Sequence, residues 1–237
     1  MTEILHSKIF FVTLTCGVYF LARTLYRKVP FFLFNPVLLS IAGIIAILLS
    51  LDISYPEYNE GGSIISFFLG TAVVALAVPL YTQMKEIKKQ SKMIFTAVFS
   101  ACGVAVISVL FIAAVMGATE QVLISLAPKA VTTPIAMSIS EKIGGLASLT
   151  AVFVMIAGLT GSIFGLPFLK LIRVKSPKAM GMAMGAASHG LGTATVSELG
   201  KEYGAYGGLA LGLCGVVTAL ITPFIVELLV PVLQAIL

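Results

Sequence analysis

Long apolar runs follow one another along most of the chain, and short polar segments separate them. The runs predict seven membrane helices, at about residues 8–23, 30–51, 61–83, 93–117, 145–169, 179–200 and 205–234. Most of them approach the roughly 20 apolar residues that cross the hydrocarbon core of a bilayer. The remaining apolar stretch, residues 120–142, is interrupted by Pro128 and Lys129. The pattern predicts an all-α polytopic membrane protein with about seven spanning helices.

Composition agrees with this pattern. The 237 residues are 59% hydrophobic and only 11% charged, whereas soluble domains carry roughly 25% charged residues. No stretch is polar and long enough for a soluble domain, so we expect a single integral-membrane domain over residues 1–237. The first apolar run lacks the basic segment and the cleavage site of a signal peptide, so we expect it to remain as a helix.

Charged residues indicate the topology. Three clusters are basic and one is acidic: Arg23, Arg27 and Lys28; Lys85, Lys88, Lys89 and Lys92; Lys170, Arg173, Lys175 and Lys178; and the acidic Asp52, Glu57 and Glu60. The positive-inside rule places the basic clusters in the cytoplasm and the acidic one outside. The formal charge of +5 therefore reflects topology, and no nucleic-acid partner is expected.

The positive-inside rule also predicts that residues 120–142 start and end outside. The apolar pieces on either side of Pro128 and Lys129 are each too short to span. We therefore predict a re-entrant hairpin, which is tolerated at membrane depth where protein or a water-filled cavity covers its backbone. The alternative is a full crossing that leaves four positive residues outside.

Two short sequences occur twice in the same order. "LGTAVV" at 69–74 matches "LGTATV" at 191–196, and "CGV" occurs at 102–104 and 214–216. With the topology above, the matches predict inverted repeats over 30–118 and 145–236. Inverted repeats with broken helices are common in secondary transporters. The glycines within 61–83 either open that helix or pack it closely on a neighbour.

Lys129 is a candidate for binding an anion. A charge at membrane depth is costly and usually functional. Thr132 and Thr133 follow it near a predicted helix start, where unpaired N–H groups and the helix dipole favour an anion. Together these residues predict a carboxylate site. The alternative is an exposed loop lysine.

A second candidate stretch, "GAASHGLGTATVSELG" at 185–200, combines a histidine with glycines and hydroxyls. Histidine has an unperturbed pKa of about 6.5, so His189 can exchange protons near neutral pH. The alternative is a neutral histidine that bonds a carbonyl of a neighbouring helix. Glu198 is a second coupling candidate near the outer mouth, or a surface carboxylate. The predicted substrate-binding residues are Lys129, Thr132, Thr133, Thr71, Ser188, His189, Gly190, Gly192 and Thr193.

The sequence contains no motif that indicates catalysis or the binding of a metal or a nucleotide. The chain has no metal-ligand cluster, phosphate loop, nucleophile elbow or hydrolytic carboxylate pair. We therefore expect neither an enzyme nor a bound metal or cofactor. Cys16, Cys102 and Cys214 lie inside apolar segments without the spacing of a redox motif, so we interpret them as small buried residues.

Four motifs resemble the LrgB/CidB family: "FLGTAVVALAVPLY", "PKAVTTPIA", "IGGLASLTAVFVMIAGLTGSIFG" and "GMAMGAASHGLGTATVSELG". The resemblance covers nearly the whole chain from about Phe31. It implies a multi-pass protein of the bacterial plasma membrane. It also implies holin-like or antiholin-like control of murein hydrolases and autolysis, beside a small LrgA/CidA-type membrane partner, or transport of glycolate, glycerate or pyruvate, or both. Self-association into a homo-oligomer is compatible with both.

The residues favour the transporter hypothesis over the lysis hypothesis. A simple pore needs few helices and no buried ionisable pair, whereas this chain combines a re-entrant hairpin with Lys129 and His189 in its apolar interior. We therefore expect a small monocarboxylate as substrate, the lipid bilayer as surroundings, and a proton as the coupling ion.

Overall fold

A computed structural model of the chain describes residues 7–29, 34, 36–75, 78, 81 and 84–236. The contacts divide it into two compact units, residues 1–76 and 77–237, and each is described by itself. The single integral-membrane domain predicted from composition stays a prediction.

The described residues form ten α-helices. Their bounds are α1 Lys8–Lys28, α2 Pro36–Ser50, α3 Tyr55–Ala75, α4 Met84–Lys89, α5 Ser91–Val115, α6 Glu120–Leu126, α7 Thr133–Lys142, α8 Ala147–Leu171, α9 Pro177–Ser197 and α10 Lys201–Ile236. Within the described part, α1, α5, α8 and α10 are long and apolar enough to cross a membrane, and α2 is apolar but shorter. The all-α membrane class is confirmed.

Close packing of α1 on α2 and α3 forms the first unit. Phe11 of α1 is fully buried, and its ring meets that of Tyr58 edge-on with centroids 5.7 Å apart. The Tyr58 hydroxyl lies 2.8 Å from Thr15 Oγ1. A Cβ atom on Gly61 would lie 2.6 Å from the Lys8 carbonyl oxygen. Gly61 therefore serves close helix packing, one of the two alternatives for its segment.

The helix predicted over 61–83 begins earlier, at Tyr55, so Glu57 and Glu60 belong to its first turns. Its predicted end includes positions 76–77, 79–80 and 82–83, which lie outside the described residues.

In the second unit, α6 and α7 form a hairpin, which we call hairpin 1. Ile124 of α6 packs with Val226, late in α10. Ile135, in the first turn of α7, instead reaches Gly215 in the middle of α10. Ile143, just after α7, returns to the cluster of Ile124 and Val226. The chain thus enters the unit and leaves at the same end.

Helix α9 is broken near its middle. The backbone is non-helical at Ser188 (φ −133°, ψ 18°) and His189 (φ 40°, ψ −128°). A Cβ atom on Gly192 would collide with the Met184 carbonyl oxygen, although the same residues in a continuous helix are about 12 Å apart. Val196 also packs with Met184. The second half of α9 therefore folds back along the first, and we call α9 hairpin 2.

The crossing predicted over 179–200 is therefore wrong, because the break at His189 reverses the chain. Helix α10 starts beside the beginning of α9, so the direction predicted for 205–234 is also wrong. Glu198 is exposed at this end of the unit instead of at the outer mouth. We call this end the basic end, since it carries Lys92, Lys170, Arg173, Lys175, Lys178 and Lys201.

Helices α5 and α10 run in the same direction. Cys102 Sγ lies 3.9 Å from the Cys214 carbonyl oxygen, and Leu110, later in α5, packs with Val226, later in α10. The two "CGV" copies thus lie on parallel helices and do not support the inverted repeats over 30–118 and 145–236, which stay a prediction. The second unit contains a different inverted pair. Hairpin 1 precedes the long helix α8, hairpin 2 precedes the long helix α10, and the two hairpins open at opposite ends.

Labelling of single cysteines tests both hairpins in a Cys16→Ser background. We expect cysteines at Gln121 and Lys142 to react from one side of the membrane, because hairpin 1 returns to its starting end. Cysteines at Lys175 and Lys201 should react from the other side. Opposite-side labelling within either pair would show that the corresponding segment crosses the membrane.

Candidate functional site

The tip of hairpin 1 is the turn between α6 and α7, residues 127–132. Its Lys129 is half-buried, its backbone N–H donates to the Leu126 carbonyl at 3.2 Å, and its ammonium has no carboxylate partner among the described residues. Thr132 is the N-cap of α7, yet its side chain does not cap the helix. The Thr132 and Thr133 hydroxyls have no hydrogen-bond partner in the described part of the chain. The tip therefore offers a cation, two hydroxyls and a helix N-terminus to an anion.

Three fully buried hydroxyls attach hairpin 1 to α8. Ser125 Oγ donates to the Gln121 carbonyl at 2.6 Å and accepts from the Leu146 N–H at 2.8 Å. Thr150 Oγ1 lies 2.9 Å from the Ser125 carbonyl oxygen and 2.7 Å from Ser140 Oγ. Because buried hydroxyls cost free energy unless they are paired, this network favours one position of the hairpin on α8.

The tip of hairpin 2 is held by His189. Its side chain is buried, and Nε2 lies 2.9 Å from the Val154 carbonyl oxygen of α8. A carbonyl only accepts, so Nε2 carries the proton, and Nδ1 has no partner among the described residues. A non-glycine φ of 40° costs about 1–3 kcal/mol and persists only where the surroundings impose it. This hydrogen bond to a carbonyl of a neighbouring helix is the one that the structural alternative for His189 predicts. Nδ1 still has a lone pair that can take up a proton.

Glycines of α8 make room for this tip. A Cβ atom on Gly158 would lie 2.6 Å from His189 Cε1, and one on Gly161 would overlap the Ser188 hydroxyl. A Cβ atom on Gly165 would lie 2.6 Å from Met184 Sδ. These glycines share one helix face. The broken segment of α9 therefore lies directly against the α8 backbone.

The returning half of α9 presents a second helix N-terminus. One turn beyond His189, Thr193 is 5% exposed, and its Oγ1 has no partner among the described residues. An unpaired buried hydroxyl costs about 1–3 kcal/mol, so such a group is suited to bind a ligand or water. The Cβ direction of Gly190 is open, with no atom within 4 Å.

Both tips reach the same stretch of α8. Val131, two residues after Lys129, packs in one core cluster with Val154, whose carbonyl accepts from His189. The structure thus brings Lys129, Thr132 and Thr133 to the same region as Ser188, His189, Gly190, Gly192 and Thr193. Two oppositely directed helix N-termini and a lysine thus lie near the same core cluster, an arrangement that suits a bound anion.

Of the other two candidates, the structure places one away from this region and does not describe the side chain of the other. Glu198 is exposed at the basic end, after the hairpin has returned. Thr71 belongs to α3 in the first unit, and its side chain lies outside the described residues.

Comparisons with known proteins place the chain in a family. The profile described as "LrgB-like family" matches residues 15–228. The chain belongs to the LrgB-like family. It is 34% identical over 217 residues to the holin-like protein CidB of Staphylococcus aureus, covering 92% of this chain and 95% of CidB. It is 39% identical over 193 residues to the antiholin-like protein LrgB of Bacillus cereus, covering 81% of this chain and 84% of LrgB.

A third relative, the protein YxaC of Bacillus subtilis, is 39% identical over 220 residues, covering 93% of this chain and 96% of YxaC. No solved structure matches the chain significantly. The bacterial relatives and the apolar helices agree with a multi-pass protein of the bacterial membrane.

Sequence reasoning missed several groups at the site of this LrgB-like protein. Val154 contributes a backbone carbonyl, which no side-chain pattern reveals. Ser125, Ser140 and Thr150 form the polar network but look like ordinary small residues of apolar helices. The spacing of Gly158, Gly161 and Gly165 was visible in the sequence and indicates one close-packed face.

The α8 glycine face gives a stability prediction. Gly158→Ala should destabilise the protein by about 1–3 kcal/mol, because the new methyl group collides with the His189 ring and disturbs its bond to Val154. The matched control is Gly103→Ala in α5, where a Cβ atom meets nothing within 4 Å. Thermal unfolding in detergent compares the two variants. Equal midpoints would contradict the close contact between α8 and hairpin 2.

Proposed function

We propose that this LrgB-like protein is a secondary transporter of small monocarboxylates of the glycolate, glycerate or pyruvate class. The observation that carries the proposal is that both hairpin tips pack near Val154 of α8. Transporters commonly bind substrate between discontinuous helices, whose N-termini point at anionic groups. In this assignment the substrate carboxylate binds Lys129, Thr132, Thr133 and the N-terminus of α7.

The tip of hairpin 2 binds the rest of the substrate in this proposal. Ser188 and Thr193 supply hydroxyls for a 2-hydroxy or 2-oxo group, Gly190 leaves the backbone accessible, and Gly192 lets the returning half-helix approach closely. Thr71 remains a candidate contact on sequence grounds alone. Because the ligands come from two hairpins that open at opposite ends, movement of either tip changes the side from which substrate reaches the site.

A proton is the proposed coupling ion. A monocarboxylate enters a cell against an inside-negative potential, so a compensating cation is needed for accumulation. Nδ1 of His189 has no hydrogen-bond partner among the described residues and lies within the substrate region, so its protonation adds positive charge beside the anion. Glu198 is the weaker candidate because it is exposed at the basic end.

The names of the relatives favour a second function. CidB is called holin-like and LrgB antiholin-like, so control of murein hydrolase activity with an LrgA/CidA-type partner is the alternative. The two functions separate in purified protein, because transport needs only this chain and a bilayer. Lysis effects that follow from altered carboxylate or proton flux would disappear in transport-dead variants.

Replacement of Lys129 tests the carboxylate site. Lys129→Ala should abolish uptake of labelled glycolate, glycerate or pyruvate into proteoliposomes, because it removes the cation at the tip. Lys129→Arg should retain part of this uptake, because the positive charge stays while the geometry of the side chain changes. Lys92→Ala, an exposed lysine at the start of α5, is the control and should transport normally. Uptake by folded Lys129→Ala at the wild-type rate would remove Lys129 from the site.

Replacement of His189 tests proton coupling. Glutamine can still donate to the Val154 carbonyl but does not titrate, so His189→Gln should lose accumulation driven by a pH gradient. Counterflow at equal pH should survive, because exchange needs binding and movement but no net proton. Both assays use the same proteoliposomes. An unchanged pH profile of accumulation would make His189 purely structural.

A further inference from the structure

A cavity of about 310 Å³ extends along hairpin 1. One face of α7 lines it from Pro134 in the first turn to Lys142 in the last, with Ser138 between them. Ala219 and Pro223 of α10 line the opposite wall. Pro134 directly follows Thr133, so the cavity begins next to the tip of hairpin 1 and extends to Lys142 at the end of the unit opposite the basic end.

The lining offers polar groups at intervals along this path. Lys142 is exposed where the cavity reaches the end of the unit. Halfway along, the exposed Ser138 hydroxyl has no hydrogen-bond partner among the described residues. Pro223 has no N–H, so the Ala219 carbonyl lacks its usual helical donor and can accept a bond from a hydroxyl or water. The volume is at the lower end of the range for small-molecule sites, which suits a two- or three-carbon acid.

A second cavity at this end provides a comparison. It lies beside hairpin 1 along α6, shares Pro223, and is lined by Glu120 and Glu227. Two carboxylates disfavour an anion, whereas the α7 cavity carries the lysine. Although Glu141 lies next to Lys142 in sequence, it does not line the α7 cavity. The charges therefore favour the α7 side for an anionic substrate.

We propose that the α7 cavity is the route by which the carboxylate reaches the hairpin tips, and that Lys142 attracts the anion into it. This inference rests on the proposed transport function, and it adds an entry path and an entry residue to that site. Ser138 marks the middle of the path.

Modification at Ser138 tests the route. Ser138→Cys in a Cys16→Ser background is treated with a negatively charged methanethiosulfonate, and labelled glycolate uptake is compared before and after the reaction. We expect about tenfold lower uptake after modification, because the added group fills the path, and we expect unlabelled glycolate to slow the reaction. Ser148→Cys, an exposed position in the first turn of α8, is the control and should keep its uptake after modification.

Kinetics of Lys142 variants provide the second measurement and do not depend on the cysteine variants. Lys142→Gln should raise KM for glycolate about fivefold with little change in the maximal rate, and Lys142→Arg should restore KM. Lys201 is an exposed lysine at the basic end and provides the control. Lys201→Gln should leave KM unchanged for glycolate that is added on the side of Lys142. An unchanged KM in Lys142→Gln would overturn the role of Lys142.

The two proposals fail in different ways. Unchanged uptake after complete modification of Ser138→Cys contradicts the route and leaves transport standing. Absence of uptake by wild-type protein, or wild-type uptake by Lys129→Ala, contradicts the proposed transport site itself.

Discussion

The second unit, residues 77–237, depends on the contact between the break in α9 and the glycine face of α8. An interrupted helix at membrane depth must satisfy its backbone within the protein. Hairpin 2 meets this requirement by lying against Gly158 and Gly161, where the His189 ring reaches the Val154 carbonyl. A side chain on either glycine would separate the two elements. The positive φ of His189 is therefore maintained by packing against α8.

Helix α8 also holds hairpin 1, but by different means. Ser125, Ser140 and Thr150 bond to one another or to backbone groups in a fully buried network. Hairpin 2 instead has many close glycine contacts and, among the described residues, one side-chain hydrogen bond to α8. Hydrogen bonds are directional, so this network favours one position of hairpin 1 on α8. The two tips thus differ in how firmly polar groups attach them to the same helix.

This arrangement also accounts for the chemistry of the region. Helix N-termini are attractive to anions only where their N–H groups are not already capped, and the Thr132 side chain does not cap α7. The buried Thr193 hydroxyl is likewise without a partner in the described part of the chain. An unpaired buried hydroxyl such as that of Thr193 costs free energy, and a hydrogen bond to a carboxylate would offset that cost. That balance is the physical basis of the proposal that this LrgB-like protein transports a small carboxylate.

The sequence by itself determined the membrane class, the helical content and hairpin 1, and it proposed the candidate residues at the two tips. Apolar length and the Pro128–Lys129 interruption are local signals, and each was sufficient for its element, whereas the polar stretch around His189 did not reveal the reversal of the chain there. Only the tertiary structure decided that α9 turns back. Two half-helices joined at His189 have the same total length and apolar composition as one crossing helix, so no local pattern distinguishes them. The difference lies in contacts between Gly192, Val196 and Met184, and the direction of α10 and the place of Glu198 follow from it.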